Sequence, residues 1–342
     1  MHQHLQRHKL AILAATGTLF LAACGGGGGG DGGNGPGPAP APTALAITSG
    51  NYQSVAQQSL SSSQYLLGSA GLVTGADAAA APSLLALAAR QVQALPAWFR
   101  NKAGLPLVQG ATTNQSTPCA GGGRIDAVLT DANGNGKIDA GDGMAMTAVA
   151  CKEDGVSMDG KMEITVTSAS GEFGSNSFSA GLDLKLSGFT ATTGISKVSG
   201  DGLIRVSLTA SGANRMSLSM DVASFSSSGR VGGTDFSQKL ENFALTLQTA
   251  PQGLGFQTSS TARGALTSSS LESKRINLET AVPLLQLSGR SDPSAGQLLV
   301  RGAADSLLRM TVQSDGRVLL ELDADGNGQF ELSSFKSWSE LH

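Results

Sequence analysis

The sequence predicts a mainly β protein: one large antiparallel sheet, arranged as a sandwich or a curled half-barrel, with an N-terminal helical segment packed on it. Three observations carry this expectation. From Cys119 onward, apolar and polar residues alternate with a period of two, which sets one face of each strand on a core and the other in water. The segments so marked are rich in Ser, Thr and Gly and are divided by turn signals such as Ser314-Asp315-Gly316. The stretch before them is rich in Ala and Ser, and its apolar residues recur at helical spacing.

The elements follow in chain order. Residues 1–23 begin MHQHLQRHK, with Arg7 and Lys9 and no acid, and continue through the apolar run LAILAATGTLFL to Ala22 and Ala23. A basic start, a short apolar run and small residues at its end describe a secretory leader. The run is too short to cross a bilayer as a helix, and no later stretch reaches the length of a span. Leu21-Ala22-Ala23-Cys24 resembles the lipobox of bacterial lipoproteins. That resemblance implies cleavage before Cys24, acylation of its sulfur, and a protein held on a membrane by chains whose buried CH2 groups contribute about 0.8 kcal/mol each. Many such lipoproteins carry Asp after the Cys as an inner-membrane retention signal. Gly25 stands there in this chain, so the resemblance implies the outer membrane. As a whole the chain is similar to the Gly-tethered lipoproteins of Gram-negative bacteria, which implies a location and no particular activity.

Residues 24–43 join the acylated Cys to a Gly run and a Pro alternation, a flexible tether followed by a stiffer spacer. Residues 44–118 read as a helical or irregular segment. Within it Leu84, Ala88, Val92, Leu95 and Phe99 form one apolar helical face that Pro82 starts and Pro96 ends. Residues 119–342 form the sheet domain. Its inward positions include Met162, Ile164 and Val166; Leu182, Leu184 and Leu186; Met216, Leu218, Met220 and Val222; Ile276 and Leu278; Leu308, Met310 and Val312; and Val318, Leu320 and Leu322. A transmembrane barrel would show aromatic girdles, and the whole chain has two Trp and two Tyr.

After Cys24 two cysteines remain, and an even remainder in an exported chain predicts a disulfide between Cys119 and Cys151. It would clamp the open end of a hairpin whose strands run from Arg124 to Thr130 and from Met144 to Cys151. The tip of that hairpin is DANGNGKIDAGD, residues 131–142. Counted from Asp131, the oxygen ligands of a twelve-residue calcium loop at positions 1, 3, 5, 7, 9 and 12 fall on Asp131, Asn133, Asn135, the Lys137 carbonyl, Asp139 and Asp142, with Gly136 at the turn position. The stretch resembles the dockerin-type, EF-hand-like calcium loop, which also ends in Asp; here strands flank it where that family has a helix. A second stretch, DADGNGQFE, repeats the start of the pattern with Asp323, Asp325, Asn327 and Glu331, but Ser334 stands at position 12. Calcium is the expected cofactor, as a structural brace.

The composition narrows the function. The chain carries 23 Lys+Arg against 26 Asp+Glu, a formal charge of −3, and loss of Arg7 and Lys9 makes the remainder more acidic. No basic run attracts nucleic acid. All four histidines, His2, His4, His8 and His342, lie at the chain ends, so the expected folded body has no imidazole for Ser-His-Asp or Cys-His chemistry. Paired-carboxylate glycoside hydrolysis needs no His, but the acids available are better used as metal ligands. The expectation is a non-enzymatic, lipid-anchored envelope protein in a structural or interaction role, contacting the membrane through its acyl anchor. The alternative is a periplasmic carrier of lipid or another apolar ligand, with Met144, Met146, Met162, Met216, Met220 and Met310 lining an adaptable cavity.

Overall fold

The computed structural model of the chain describes residues 42–61, 84 and 111–341, apart from 154, 174, 213, 214 and 232. The leader, Cys24, the tether and most of the expected 84–99 helix lie outside these residues.

The sheet strands are β1 (Ala111–Pro118), β2 (Arg124–Asp131), β3 (Gly143–Glu153), β4 (Val156–Gly171), β5 (Ser177–Thr193), β6 (Ser196–Ser211), β7 (Met216–Val231), β8 (Thr234–Gln252), β9 (Gly255–Ser268), β10 (Lys274–Leu287), β11 (Ala295–Arg301), β12 (Leu307–Val312), β13 (Val318–Asp323) and β14 (Leu332–Lys336). They form one 14-stranded sheet in sequence order, each strand antiparallel to the next. The sheet is not closed into a barrel. The expected large antiparallel sheet is present: every strand pairs with its chain neighbours, and no second sheet forms among the described residues.

Period-two burial runs through the strands as expected. Met144, Ile164, Leu184, Ile204, Val222 and Phe243 are register partners from β3 to β8, and all are buried. Each apolar residue thus touches its cross-strand partner as well as its own alternate neighbours, the unit of stabilisation in a sheet. Facing the other way, Asp183, Arg205 and Asp221 share a polar row. Such exposed pairs contribute roughly 0 to 1 kcal/mol and mainly keep this face in water.

A sheet this wide has to bend. Register shifts interrupt β3 after Ala148, β4 after Asp159, β5 after Leu186, β6 after Gly202 and β8 after Glu241. Such bulges bend a strand and increase its twist. The largest fully buried side chains, Phe189, Phe225 and Phe243, stand beside these bulges. A Cβ on Gly202 would lie 2.6 Å from the Ser224 carbonyl oxygen and 3.0 Å from the Phe225 ring; one on Gly264, at φ 142°, would lie 2.5 Å from the Phe243 Cα. Glycine is therefore required where the backbone bends and the ring of a neighbouring strand covers it.

The N-terminal segment covers part of the apolar face. Leu45 N donates to Arg275 O at 2.9 Å, Arg275 N donates to Thr43 O at 2.9 Å, and Ala303 N donates to Leu45 O at 2.8 Å. Helix α1, residues 52–61, then buries Val55, Ala56 and Leu60, and its Tyr52 hydroxyl meets Ser334 Oγ at 3.3 Å. Leu84 is fully buried, close enough that a Cβ on Gly200 would collide with it at 2.6 Å. At the other terminus, α2 (Trp338–Leu341) buries Trp338 and Leu341.

One expected boundary moves. The sheet begins at Ala111, not at residue 119, because β1 belongs to it. Its sequence ATTNQSTP has no apolar alternation, and Asn114, Gln115 and Ser116 are exposed; a strand that buries neither face leaves no period-two signal. Gly264→Ala is expected to destabilise the protein by about 2 to 4 kcal/mol through backbone strain and overpacking, read as a lower urea midpoint; an unchanged midpoint would show that the bend does not need glycine.

Candidate metal-binding turns and the disulfide clamp

Two polar turns share one local architecture. The first, residues 132–142, joins β2 to β3; the second, residues 324–331, joins β13 to β14. Connections after even-numbered and odd-numbered strands of a meander lie at opposite ends, so the two turns occupy opposite ends of the sheet.

In the first turn the Asp131 carboxylate, fully buried, accepts from Gly134 N at 2.7 Å and Gly136 N at 2.9 Å. In the second, Asp323 accepts from Gly326 N and Gly328 N, both at 2.8 Å, and from Asn327 N at 3.1 Å. Asn133 Oδ1 accepts from Asn135 N at 3.0 Å, and Asp325 Oδ1 accepts from Asn327 N at 3.1 Å. Asn135 Oδ1 accepts from Lys137 N, and Asn327 Oδ1 from Gln329 N, each at 2.7 Å. The position-6 glycines, Gly136 and Gly328, both take positive φ, 71° and 85°. Side-chain oxygens capping successive backbone N–H groups wind each turn around a common centre.

The closing acid differs. In the first turn Asp142, fully buried, accepts from Ala132 N at 2.8 Å and from Asp139 N at 2.6 Å. In the second, Glu331 at position 9 accepts from Ala324 N at 2.9 Å, the place Asp142 holds from position 12. Position 12 in the second turn falls on Ser334, which turns instead to Tyr52. The extra methylene of Glu lets a shorter turn close, a substitution that residue counting did not reveal. Position 8 is apolar in both: Ile138 packs against the core, and Phe330 lies under the Arg309 guanidinium at 4.0 Å, with Arg309 also bound to Glu321 at 2.7 Å.

Carboxylate oxygens converge most closely in the second turn. Asp323, Asp325 and Glu331 each place an oxygen within 4.8 Å of the others. Among the described residues, Asp131, Asp139 and Asp142 form no such group. There the Asn133 and Asn135 amides point their Nδ2 donors at Asp139 Oδ2, at 2.9 and 2.6 Å, and these bonds hold the Asp139 carboxyl below its ordinary pKa. Burial pushes the Asp142 carboxyl up, against the pull of its two backbone donors, and the neighbouring Asp131 and Asp139 charges add to the rise. Ionised Asp142 therefore costs the fold something that a nearby cation would offset.

The expected disulfide is present. Cys119 and Cys151 are bonded, with Cα atoms 5.5 Å apart and 32 residues between them in sequence. Cys119 lies in the turn between β1 and β2 and Cys151 near the end of β3, so the bond ties three strands at the end opposite the first acidic turn. Gly121 N donates to Lys152 O at 2.8 Å and Lys152 N to Gly122 O at 2.9 Å, lacing the same turn to β3.

A third feature was not foreseen from the sequence. A recess of about 230 Å³ between β6 and β9 is lined largely by Ser residues, among them Ser199, Ser226 and Ser228, with Asp201 and Lys239. Comparison with known proteins finds no matching family, no matching curated protein and no matching solved structure.

Replacing Asp323 by Ala leaves the Gly326 and Gly328 backbone donors unpaired and should lower stability by about 2 to 4 kcal/mol, measured by denaturant unfolding. The Cys119→Ser, Cys151→Ser pair should cost roughly 3 to 4 kcal/mol through the freed loop, and a chemically reduced native chain should show the same loss.

Proposed function

We propose that this protein is a non-enzymatic, lipid-anchored envelope protein whose sheet domain is braced by the Cys119–Cys151 disulfide and by calcium at the two acidic turns, serving a structural or interaction role at the outer membrane. The observation that carries the calcium reading is the common build of the two turns, with Asp131 and Asp323 withdrawn from water and oxygen-bearing side chains wound about one centre. In the second turn Asp323, Asp325 and Glu331 are the natural ligand set. In the first, Asp131, Asn133, Asn135, the Lys137 carbonyl, Asp139 and Asp142 take the same part once the two amides turn their oxygens inward. Hard oxygen ligands and no thiolate or imidazole suit calcium over a transition metal.

The anchor reading rests on Leu21-Ala22-Ala23-Cys24 and the tether of residues 25–43, and intact mass of the membrane-extracted protein tests it separately. The carrier alternative draws less support. Met144, Met146, Met162, Met220 and Met310 are core residues, and Leu45, Ile47, Val55, Ala56, Leu60 and Leu84 of the same chain are buried in the same cluster. The recess between β6 and β9 is lined by Ser, Thr, Gln, Asp and Lys residues with no large apolar side chain among them, unlike the aliphatic and aromatic lining of a lipid site.

Thermal melts with millimolar calcium and with EGTA test the brace. A cation binding the folded form alone should raise the melting temperature in proportion to its occupancy, and equal melts in the two conditions would remove calcium from the proposal. The pH dependence has a definite sign. Asp139, held low, supports the fold above its unfolded pKa and loses that support as pH falls through its folded value. Asp142, pushed up, opposes the fold once ionised, so calcium should help most at neutral pH. The calcium-dependent rise should therefore shrink on acidification through the carboxylate range; a rise that persists in strong acid contradicts carboxylate ligation.

A further inference from the structure

We propose that Cys119, Cys151 and Glu153 form a redox-gated site for a thiophilic divalent cation of the zinc class: a disulfide when oxidised, and a two-thiolate, one-carboxylate ligand set when reduced. The two sulfurs and a Glu153 carboxylate oxygen lie within 4.8 Å of one another. Both cysteines are buried, at 8% and 0% exposure, and Glu153 is exposed. The third ligand thus reaches the sulfurs from the solvent side, leaving that side open for water as a fourth. Among the described residues Glu153 has neither an ion pair nor a side-chain hydrogen bond, so its carboxylate stands beside the sulfur pair without a cation to compensate it.

Zinc takes four ligands in a tetrahedron with Zn–S near 2.3 Å, which places two coordinated sulfurs roughly 3.8 Å apart. One cysteine must therefore shift. Cys151 is fixed in β3 opposite Met158. Gly121 and Gly122 are laced to Lys152 by backbone bonds, so the shift falls on the Cys119 side chain, which separates the sulfurs by rotating between staggered wells.

The chemistry balances as follows. A dithiol reductant passes two electrons and two protons to the disulfide and leaves as its own disulfide, giving two thiols. The cation then displaces both thiol protons to solvent and receives two thiolates and the Glu153 carboxylate. Without the cation the two thiols keep their protons beside the Glu153 carboxylate; with it, two thiolates and the carboxylate gather round one dication, which neutralises two of the three charges. The acidic turns offer only oxygen and the cysteine site offers sulfur, so hard and soft cations sort between them. This site does not depend on the calcium reading.

The test uses the full chain carrying Cys24→Ser, so that only Cys119 and Cys151 supply thiols, titrated with Cd²⁺ in oxidised form and after reduction with a phosphine. The expected result is sulfur-to-cadmium ultraviolet absorption saturating at one ion per chain in the reduced form and none in the oxidised form. Glu153→Gln should weaken that binding about tenfold or more. Absence of the band in a reduced chain that keeps its circular dichroism overturns the proposal, as does undiminished affinity in Glu153→Gln. If reduction unfolds the chain, zinc should restore the sheet signal in the native sequence and fail to do so in Glu153→Gln; no recovery in the native sequence overturns it as well.

Discussion

One constraint governs this molecule: a single continuous sheet of 14 strands has one apolar face, and that face has to be taken out of water without a second sheet to pack on it. The row from Met144 across to Phe243 shows how much surface is at stake. Bulges with glycine at the bend and Phe189, Phe225 and Phe243 beside it bend the strands, while the chain's own N-terminal segment and helix α1 fill space over the apolar side. Burial at roughly 25 cal/mol per Å² rewards each of these, and the polar outer face follows because alternate residues have nowhere else to point.

Toward its two edges the sheet is built of shorter strands, 8 to 11 residues in β1–β3 and 5 to 7 in β11–β14, against 14 to 19 in β4–β10. The three reinforcements sit there. The first acidic turn closes β2 and β3 at one end, and the disulfide ties β1, β2 and β3 at the other. The second acidic turn closes β13 and β14 near the opposite edge. Asp142, buried beside the Asp131 and Asp139 charges, keeps a cost of ionisation that its two backbone donors relieve only in part. That residual electrostatic cost is the physical ground on which a divalent ion enters the functional proposal.

The N-terminal segment also bears on function. By joining β10 and the turn at Ala303 through main-chain bonds and burying Val55, Ala56 and Leu60, it makes residues just after the tether part of the core. A domain so filled presents polar strand faces outward, with exposed Ile195 and Leu254 at two of its hairpin tips.

Much of the fold and of the candidate site was legible in the amino acids alone. Alternation at residues such as Met162, Ile164 and Val166 determined which face is buried, because side-chain direction in a strand has a period of two whatever surrounds it. The paired cysteines determined the bridge, and the spacing of Asp131, Asn133, Asn135, Asp139 and Asp142 determined a wound turn, since Asx capping is local. Tertiary structure alone decided the rest. The unalternating β1 joins the sheet only because β2 offers an edge. Glu331 takes the place that Asp142 holds from position 12 because its longer side chain reaches Ala324 in space. Glycine and phenylalanine meet at the bend because strands distant in sequence bring them into register. Each of these depends on cross-strand geometry, which a linear pattern does not encode.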